Sequence, residues 1–150
     1  MPALAKTTLQ IEIATSCGTL ILNTRDQILL CHVTGTQHWD IPKGMLESGE
    51  STLDASKREM REETGLEFDD ALFEEIGRFH FQKYKKLHLY KVRAPENLES
   101  LGHLVCTSYF SHPVTGEPTP EMDGFRWASR DEIRSLCILP MAQRLLSLEW

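Results

Sequence analysis

Short apolar runs alternate with polar turns along most of the chain, and this pattern predicts more strands than helices. Strands are expected where β-branched, aromatic and aliphatic residues concentrate between turn-forming residues. These runs are Leu9–Ile13, Thr19–Asn23, Ile28–Val33, Phe73–Phe81, Leu87–Val92, Leu104–Phe110 and Phe125–Ala128. A loop punctuated by glycine and proline is expected from His38 to Gly49, and a second from Ser111 to Gly124.

One long helix is predicted between these strands, from about Thr52 to Thr64. Ser51 and Asp54 have the spacing of an N-terminal cap, and Gly65 is a typical helix stop.

Two shorter helices are predicted near the end of the chain. The capping-box spacing at Ser129–Glu132 should open a helix that ends at about Cys137, and Pro140 should begin another that ends near Leu148. Strands with interspersed helices favour an α/β fold, in which helices cover both faces of a mixed β-sheet.

Composition and charge restrict the function. A chain of 150 residues with 41% hydrophobic and 25% charged residues is expected to form a single domain, residues 1–150. Its net charge of −6 argues against binding to DNA or to a membrane surface, but allows a polyanionic substrate if a metal ion supplies positive charge. The opening MPALAKTTLQIEI is too polar for a secretory signal, so a cytoplasmic location is expected.

The long helix carries an unusual set of carboxylates. At about 100° per residue, Glu59, Glu62 and Glu63 share one face, where like charges repel. A solvated face neutralised by neighbouring basic residues would be one explanation. The other is a hard divalent cation such as Mg²⁺, which prefers oxygen ligands.

The spacing around these carboxylates decides between the two explanations. From Gly44 the chain has five residues, Glu50, seven residues, and then the run Arg58 to Leu66. This resembles the signature of the Nudix hydrolase family, G-x5-E-x7-R-E-U-x-E-E-x-G-U, where U is a bulky aliphatic residue, at all nine specified positions. The resemblance implies an α/β/α sandwich with a mixed sheet, and Mg²⁺- or Mn²⁺-dependent hydrolysis of a nucleoside diphosphate linked to another group.

The resemblance also implies roles for individual residues. Glu59 and Glu63 correspond to the principal metal ligands, and Glu62 completes the site or acts as the base. Arg58 corresponds to the residue that orients Glu50, itself a further carboxylate within reach of the metal. Which glutamate is the base stays open.

The loop before the helix contributes further candidates. The Lys43 carbonyl corresponds to a backbone metal ligand, Gly44 would permit a tight loop there, and Glu47 is expected to support the loop. Glu121, six residues before Trp127, is either a further metal ligand or a surface residue.

The substrate is less well indicated. Tyr84 lies where dinucleoside polyphosphate hydrolases of this family tend to have a tyrosine, so a base could stack on its ring while Lys83, Lys85 and Lys86 bind phosphates. The same residues could form only a solvated turn. Trp39 either lines the binding pocket, together with the Lys43 side chain, or packs against the loop.

A dinucleoside polyphosphate such as diadenosine tetraphosphate is therefore the leading substrate class, and the protein is expected to be a monomer or a homodimer. The alternatives are removal of pyrophosphate from an RNA 5′ end, hydrolysis of damaged nucleoside triphosphates, and a non-catalytic nucleotide-binding regulatory domain. Because every carboxylate of the signature is present, the regulatory domain is the least favoured.

Overall fold

A computed structural model of the protein describes residues 13–150, and within them strands outnumber helices. Strand β1 is Ala14–Leu22. The remaining strands are β2 (Ile28–Val33), β3 (Trp39–Asp40), β4 (Lys43–Met45), β5 (Glu74–Gln82), β6 (Lys85–Arg93), β7 (Tyr109–Ser111), β8 (Pro118–Pro120) and β9 (Met122–Ala128). The helices are α1 (Thr52–Thr64), α2 (Ile133–Leu136) and α3 (Leu139–Leu146).

The strands form a mixed seven-stranded sheet and a separate hairpin of β7 and β8. β1 is central: it runs parallel to β6 along its whole length, and its other edge pairs antiparallel with β4 and, at Leu22, with β2. β2 also pairs with β3 and β9, while β5 pairs with β6. The loop and helix that carry the glutamates follow β4, which pairs with this central strand.

Alternation along the strands divides the core between two faces of the sheet, because successive side chains of a strand point to opposite sides. Leu20 and Leu22 pack with residues of α2 and α3, whereas Ile21 and Leu29 pack with Met60 of α1. The expected α/β/α arrangement is confirmed. No helix between residues 13 and 150 is long and apolar enough to cross a bilayer.

The long helix has the bounds that the sequence predicts. The Ser51 side chain accepts a hydrogen bond from the Asp54 backbone N–H at 3.0 Å, and Gly65 ends the helix with a φ of 81°. The capping box of Ser129 and Glu132 is also formed, although it opens a 3₁₀ turn that leads into the short α2.

Other boundaries differ from the prediction. The run Leu9–Ile13 lies outside the described residues except for Ile13, which is not in a strand. β1 begins at Ala14 rather than Thr19, because hydrogen bonds to β4 and β6 hold its polar first half on both edges. The His38–Gly49 segment contains the two short strands β3 and β4, which are too brief to show a period in the sequence.

The strand predicted at Leu104–Phe110 is wrong for most of its length, since only its last two residues lie in β7. The Val105 N–H donates to the Thr64 carbonyl at 3.2 Å, and the Thr107 N–H donates to the Glu62 carbonyl at 2.7 Å. The segment therefore binds the free carbonyls at the end of α1 instead of joining the sheet.

Candidate active site

The carboxylates of α1 lie beside a cleft of about 350 Å³ between the helix, β4 and the segment around residue 121. Such a density of negative charge requires neutralisation, either by basic side chains or by a cation. The cleft is lined by Lys43, Gly44, Met45, Glu47, Arg58, Glu59, Glu62, Ser108 and Glu121.

Glu63 lies beneath this cleft and is the most deeply buried of the helix carboxylates, with 1% of its surface exposed. Its Oε1 accepts a hydrogen bond from the Lys43 backbone N–H at 2.8 Å, while its Oε2 has no partner. Burial, reinforced by the charges of Glu59 and Asp40, raises the pKa of Glu63 to about 9. A buried carboxylate oxygen without a partner is costly unless a cation or a proton binds it.

Glu59 lies directly against Gly44. A Cβ added to Gly44 would stand 2.1 Å from the Glu59 carboxyl carbon, so only glycine leaves room for this side chain. Gly44 lies in β4, and close approach, rather than a tight turn, is what requires a glycine at this position. Burial also raises the pKa of Glu59, although the neighbouring Arg58 guanidinium opposes this effect.

Arg58 connects the helix to the loop that precedes it. Its Nε and Nη2 donate to the two carboxylate oxygens of Glu50 at 2.7 and 3.0 Å, and Nη2 also donates to the Met45 carbonyl at 3.0 Å. Its Nη1 donates to Glu59 at 2.8 Å and to Glu62 at 3.4 Å. These bonds hold the pKa of Glu50 below its usual value, and they orient Glu50 as the sequence predicts.

Glu121 reaches the cleft from the other side. Its N–H donates to the Ser108 carbonyl at 2.8 Å, and its carbonyl accepts from the Thr34 N–H at 3.0 Å. Glu121 and Glu59 both line the cleft, and the charge of Glu121 is one of those that raise the pKa of Glu59. Glu121 therefore lies at the cleft, and its role as a metal ligand remains a prediction.

Known proteins resemble this chain in sequence and in fold. The family model of the NUDIX domain matches residues 13–146. The chain belongs to the Nudix family. An uncharacterised 17.7 kDa protein of Enterobacteria phage T4 is 34% identical over 133 residues, which cover 82% of this chain and 87% of that protein.

Two further relatives bear on the activity and the fold of this Nudix protein. An RNA pyrophosphohydrolase of a Marinomonas species is 30% identical over 132 residues, covering 75% of this chain and 73% of that protein. A MutT protein of Methanosarcina mazei has the same fold, with 20% identity, a TM-score of 0.61 and coverage of 93% of both chains. Together with the family match, these relatives indicate a hydrolase that acts on pyrophosphate bonds.

Nudix hydrolases generally use divalent metal ions, and the side chains present here suit a hard cation. The donors are carboxylate oxygens, one of them buried without a partner, and the residues of β4 line the cleft beside them. Among residues 13–150, no three His, Cys, Asp or Glu side chains already stand together as a metal-binding cluster. This agrees with the contacts above, since Arg58 and the Lys43 amide bind the oxygens of Glu59 and Glu63.

The structure places most of the predicted substrate residues away from this cleft. Lys43 is the exception, since it lines the cleft. Tyr84 and its three neighbouring lysines line a different cavity of about 380 Å³ at the turn between β5 and β6, with Ile13 and His80. Tyr84 is 47% exposed and adopts a φ of 62°. Trp39 packs beside the His32 ring at 5.1 Å, under the Arg126 guanidinium, and does not line the carboxylate cleft. Their substrate roles remain predictions.

Two residues of the site were not identified from the sequence. Asp40 binds the Lys43 ammonium at 3.1 Å and so holds the residue whose N–H binds Glu63. Ser108 lines the cleft and supports Glu121 through its carbonyl. Asp40 lies in the Trp-Asp-Ile-Pro-Lys run, which could have indicated it, whereas no motif marks Ser108.

The close approach at Gly44 predicts the effect of adding one methyl group. Gly44→Ala should displace the flexible Glu59 carboxylate without unfolding the protein, and the metal concentration needed for half-maximal activity should rise. Titration of activity with Mg²⁺ would measure this. Gly102→Ala is the matched control, because Gly102 is exposed and an added Cβ there meets only Ser100 Oγ at 3.8 Å. Equal metal requirements for wild type and Gly44→Ala would contradict this account.

The burial of Glu63 predicts a dependence of metal-free stability on pH. The unfolded carboxyl has a pKa of about 4.3, and the folded value is about 9. A raised acid pKa costs stability as pH rises from the unfolded to the folded value, so the free energy of unfolding should fall between pH 5 and 9. Glu63→Gln should weaken this fall, as measured by urea unfolding in the presence of a chelator.

The control for that experiment is Glu62→Gln on the same helix, where the side chain is 36% exposed. This variant should keep the fall in stability shown by the wild type. With metal present, Glu63→Gln should lose turnover by orders of magnitude, because a neutral amide binds Mg²⁺ poorly. A fully active Glu63→Gln variant would show that Glu63 is not a residue of the active site.

Proposed function

We propose that this protein hydrolyses a phosphoanhydride bond of a nucleoside diphosphate derivative with Mg²⁺ or Mn²⁺, and that dinucleoside polyphosphates are its main substrates. The observation that carries the proposal is that Glu59, Glu62 and Glu121 line one cleft beside Gly44, while Glu63 on the same helix keeps an unpartnered oxygen. These four carboxylates outnumber the two basic residues that line the cleft, Lys43 and Arg58, and so provide ligands for a divalent metal and, through it, for polyphosphate.

Each side chain then has a role that follows from its position. When bound, the metal neutralises phosphate charge and lowers the pKa of an attacking water. Glu59 and Glu63 hold the metal, together with the Lys43 carbonyl, and Arg58 keeps Glu50 and Glu59 in place. Glu62 is the most exposed carboxylate of the three on the helix, which favours it as the group that accepts the proton from water.

The preference for a dinucleoside substrate depends on where Tyr84 lies relative to the cleft. Met45 of the cleft pairs with Ser16 on one edge of β1, while Lys85 pairs with Ala14 on the other edge. Met45 and Lys85 are therefore two strand spacings and two residues apart, which places their backbones roughly 12 Å from each other. A polyphosphate that joins two nucleosides spans a distance of that order, so one end could reach Tyr84 while the other is hydrolysed.

A second candidate is the removal of pyrophosphate from an RNA 5′ end. The relative from Marinomonas bears that activity in its name and shares 30% identity over most of both chains. The net charge of −6 disfavours a long RNA-binding surface.

A substrate panel separates these functions. Purified protein with Mg²⁺ or Mn²⁺ should hydrolyse diadenosine tetraphosphate with a higher kcat/KM than a triphosphorylated RNA or a nucleoside triphosphate, with products resolved by chromatography. Glu59→Gln is the inactive control for contaminating phosphatases. A higher kcat/KM on RNA would replace the first candidate with the second, and no hydrolysis of any member would refute the proposed function.

The Tyr84 turn can be tested with two substrates. If the distal base stacks on Tyr84, Tyr84→Ala should lose about 1–3 kcal/mol of binding. The loss should appear in kcat/KM for the dinucleotide and barely in kcat/KM for a substrate with one base. Tyr84→Phe, which keeps the ring, is the matched control. Equal losses on both substrates would make Tyr84 structural, and no loss on either would exclude it from binding.

A further inference from the structure

A shallow apolar hollow of about 290 Å³ adjoins the carboxylate cleft. Phe110, the aromatic residue of its lining, is 36% exposed, whereas Met122 is buried. The hollow is lined by Val33, Thr34, Phe110, Glu121 and Met122. The chemistry proposed above does not use this hollow.

The hollow and the cleft meet at one residue. Glu121 lines both, so a molecule whose phosphates lie at the carboxylates has an apolar surface immediately beside it. The wall between them is held by hydrogen bonds, since the Thr34 N–H donates to the Glu121 carbonyl at 3.0 Å and the Thr34 hydroxyl donates to the Pro120 carbonyl at 2.6 Å. The hollow therefore adjoins the cleft at Glu121, in a segment that these hydrogen bonds hold in place.

Phe110 reaches the hollow from the β7–β8 hairpin. Tyr109 pairs with Pro120 and Phe110 pairs with Thr119, so this hairpin is joined directly to the segment that carries Glu121. Successive residues of a strand point to opposite sides. Tyr109, which is 57% exposed, does not line the hollow, although it is the neighbour of Phe110.

We propose that this hollow binds the nucleobase of the substrate, with Phe110 as the surface on which the base stacks. The inference rests on the proposed function, because it takes the phosphates to be bound at Glu59, Glu62 and Glu121. A nucleotide joins a charged phosphate chain to a flat, weakly polar base, and here a carboxylate cleft suited to metal-bound phosphate joins an aromatic hollow. Base–aromatic stacking does not require a particular base, so the hollow would contribute affinity for nucleotides in general.

The hollow and the Tyr84 turn lie on different sides of the cleft. The hollow adjoins the paired ends of β2 and β9, where Val33 faces Met122, whereas Tyr84 lies beyond the start of β1 and β6. A substrate with two bases could therefore contact both surfaces. The base next to the hydrolysed phosphates would lie on Phe110.

The test compares ADP with inorganic pyrophosphate, which shares the diphosphate and lacks the base. Calorimetry with Mg²⁺ would measure both dissociation constants for the wild type and for Phe110→Ala. The variant should bind ADP roughly 5- to 150-fold more weakly, the loss typical of one base–aromatic contact, and should bind pyrophosphate as the wild type does. Phe110→Tyr should restore ADP binding, because it keeps the ring.

Tyr109→Ala is the control on the same hairpin and should change neither constant. Equal losses of ADP and pyrophosphate binding in Phe110→Ala would mean that the hairpin only supports Glu121, and unchanged ADP binding would remove the base from the hollow. Either result would overturn the inference. The proposed function would still stand if the wild type hydrolyses nucleotides. If the wild type hydrolyses no nucleotide, the proposed function itself fails.

Discussion

The hydrogen bond between the Lys43 N–H and the Glu63 carboxylate joins the two parts of the site. It attaches helix α1 to strand β4 at the buried carboxylate of the helix. Burying a carboxylate in this way is unfavourable unless its charge is compensated, and here one oxygen remains without a partner. The fold thus buries a carboxylate that the proposed cation would neutralise, and this burial lowers the stability of the metal-free protein.

Arg58 reduces this destabilisation and also holds the two sides of the cleft in place. One guanidinium contacts Glu50, Glu59 and Glu62, so a single positive charge reduces the repulsion among several carboxylates. Because the same group binds the Met45 carbonyl, it fixes the loop relative to the helix. Gly44 completes the arrangement, since any side chain there would occupy the space of the Glu59 carboxylate.

Local signals in the sequence were sufficient for the helix that carries the chemistry. Ser51 and Gly65 cap α1 through short-range hydrogen bonds and a left-handed residue, so its bounds depend little on the rest of the protein. The segment Leu104–Phe110 shows the opposite case. Its apolar residues predict a strand, but the free carbonyls of Thr64 and Glu62 compete for its N–H groups, and that competition depends on tertiary contacts.

The sequence by itself determined the family, the chemistry and the three glutamates of α1, because these depend on residue types at fixed spacings along one helix and its loop. Only the tertiary structure decided what surrounds them. Ser108 and Phe110 are more than forty residues from the helix in the chain, and the β7–β8 hairpin and the pairing of β2 with β9 bring them near it. Glu121, for which the sequence left two alternatives, comes to the cleft in the same way. Contacts between segments so distant leave no local period in the sequence, and these contacts form the surfaces that would distinguish one nucleotide from another.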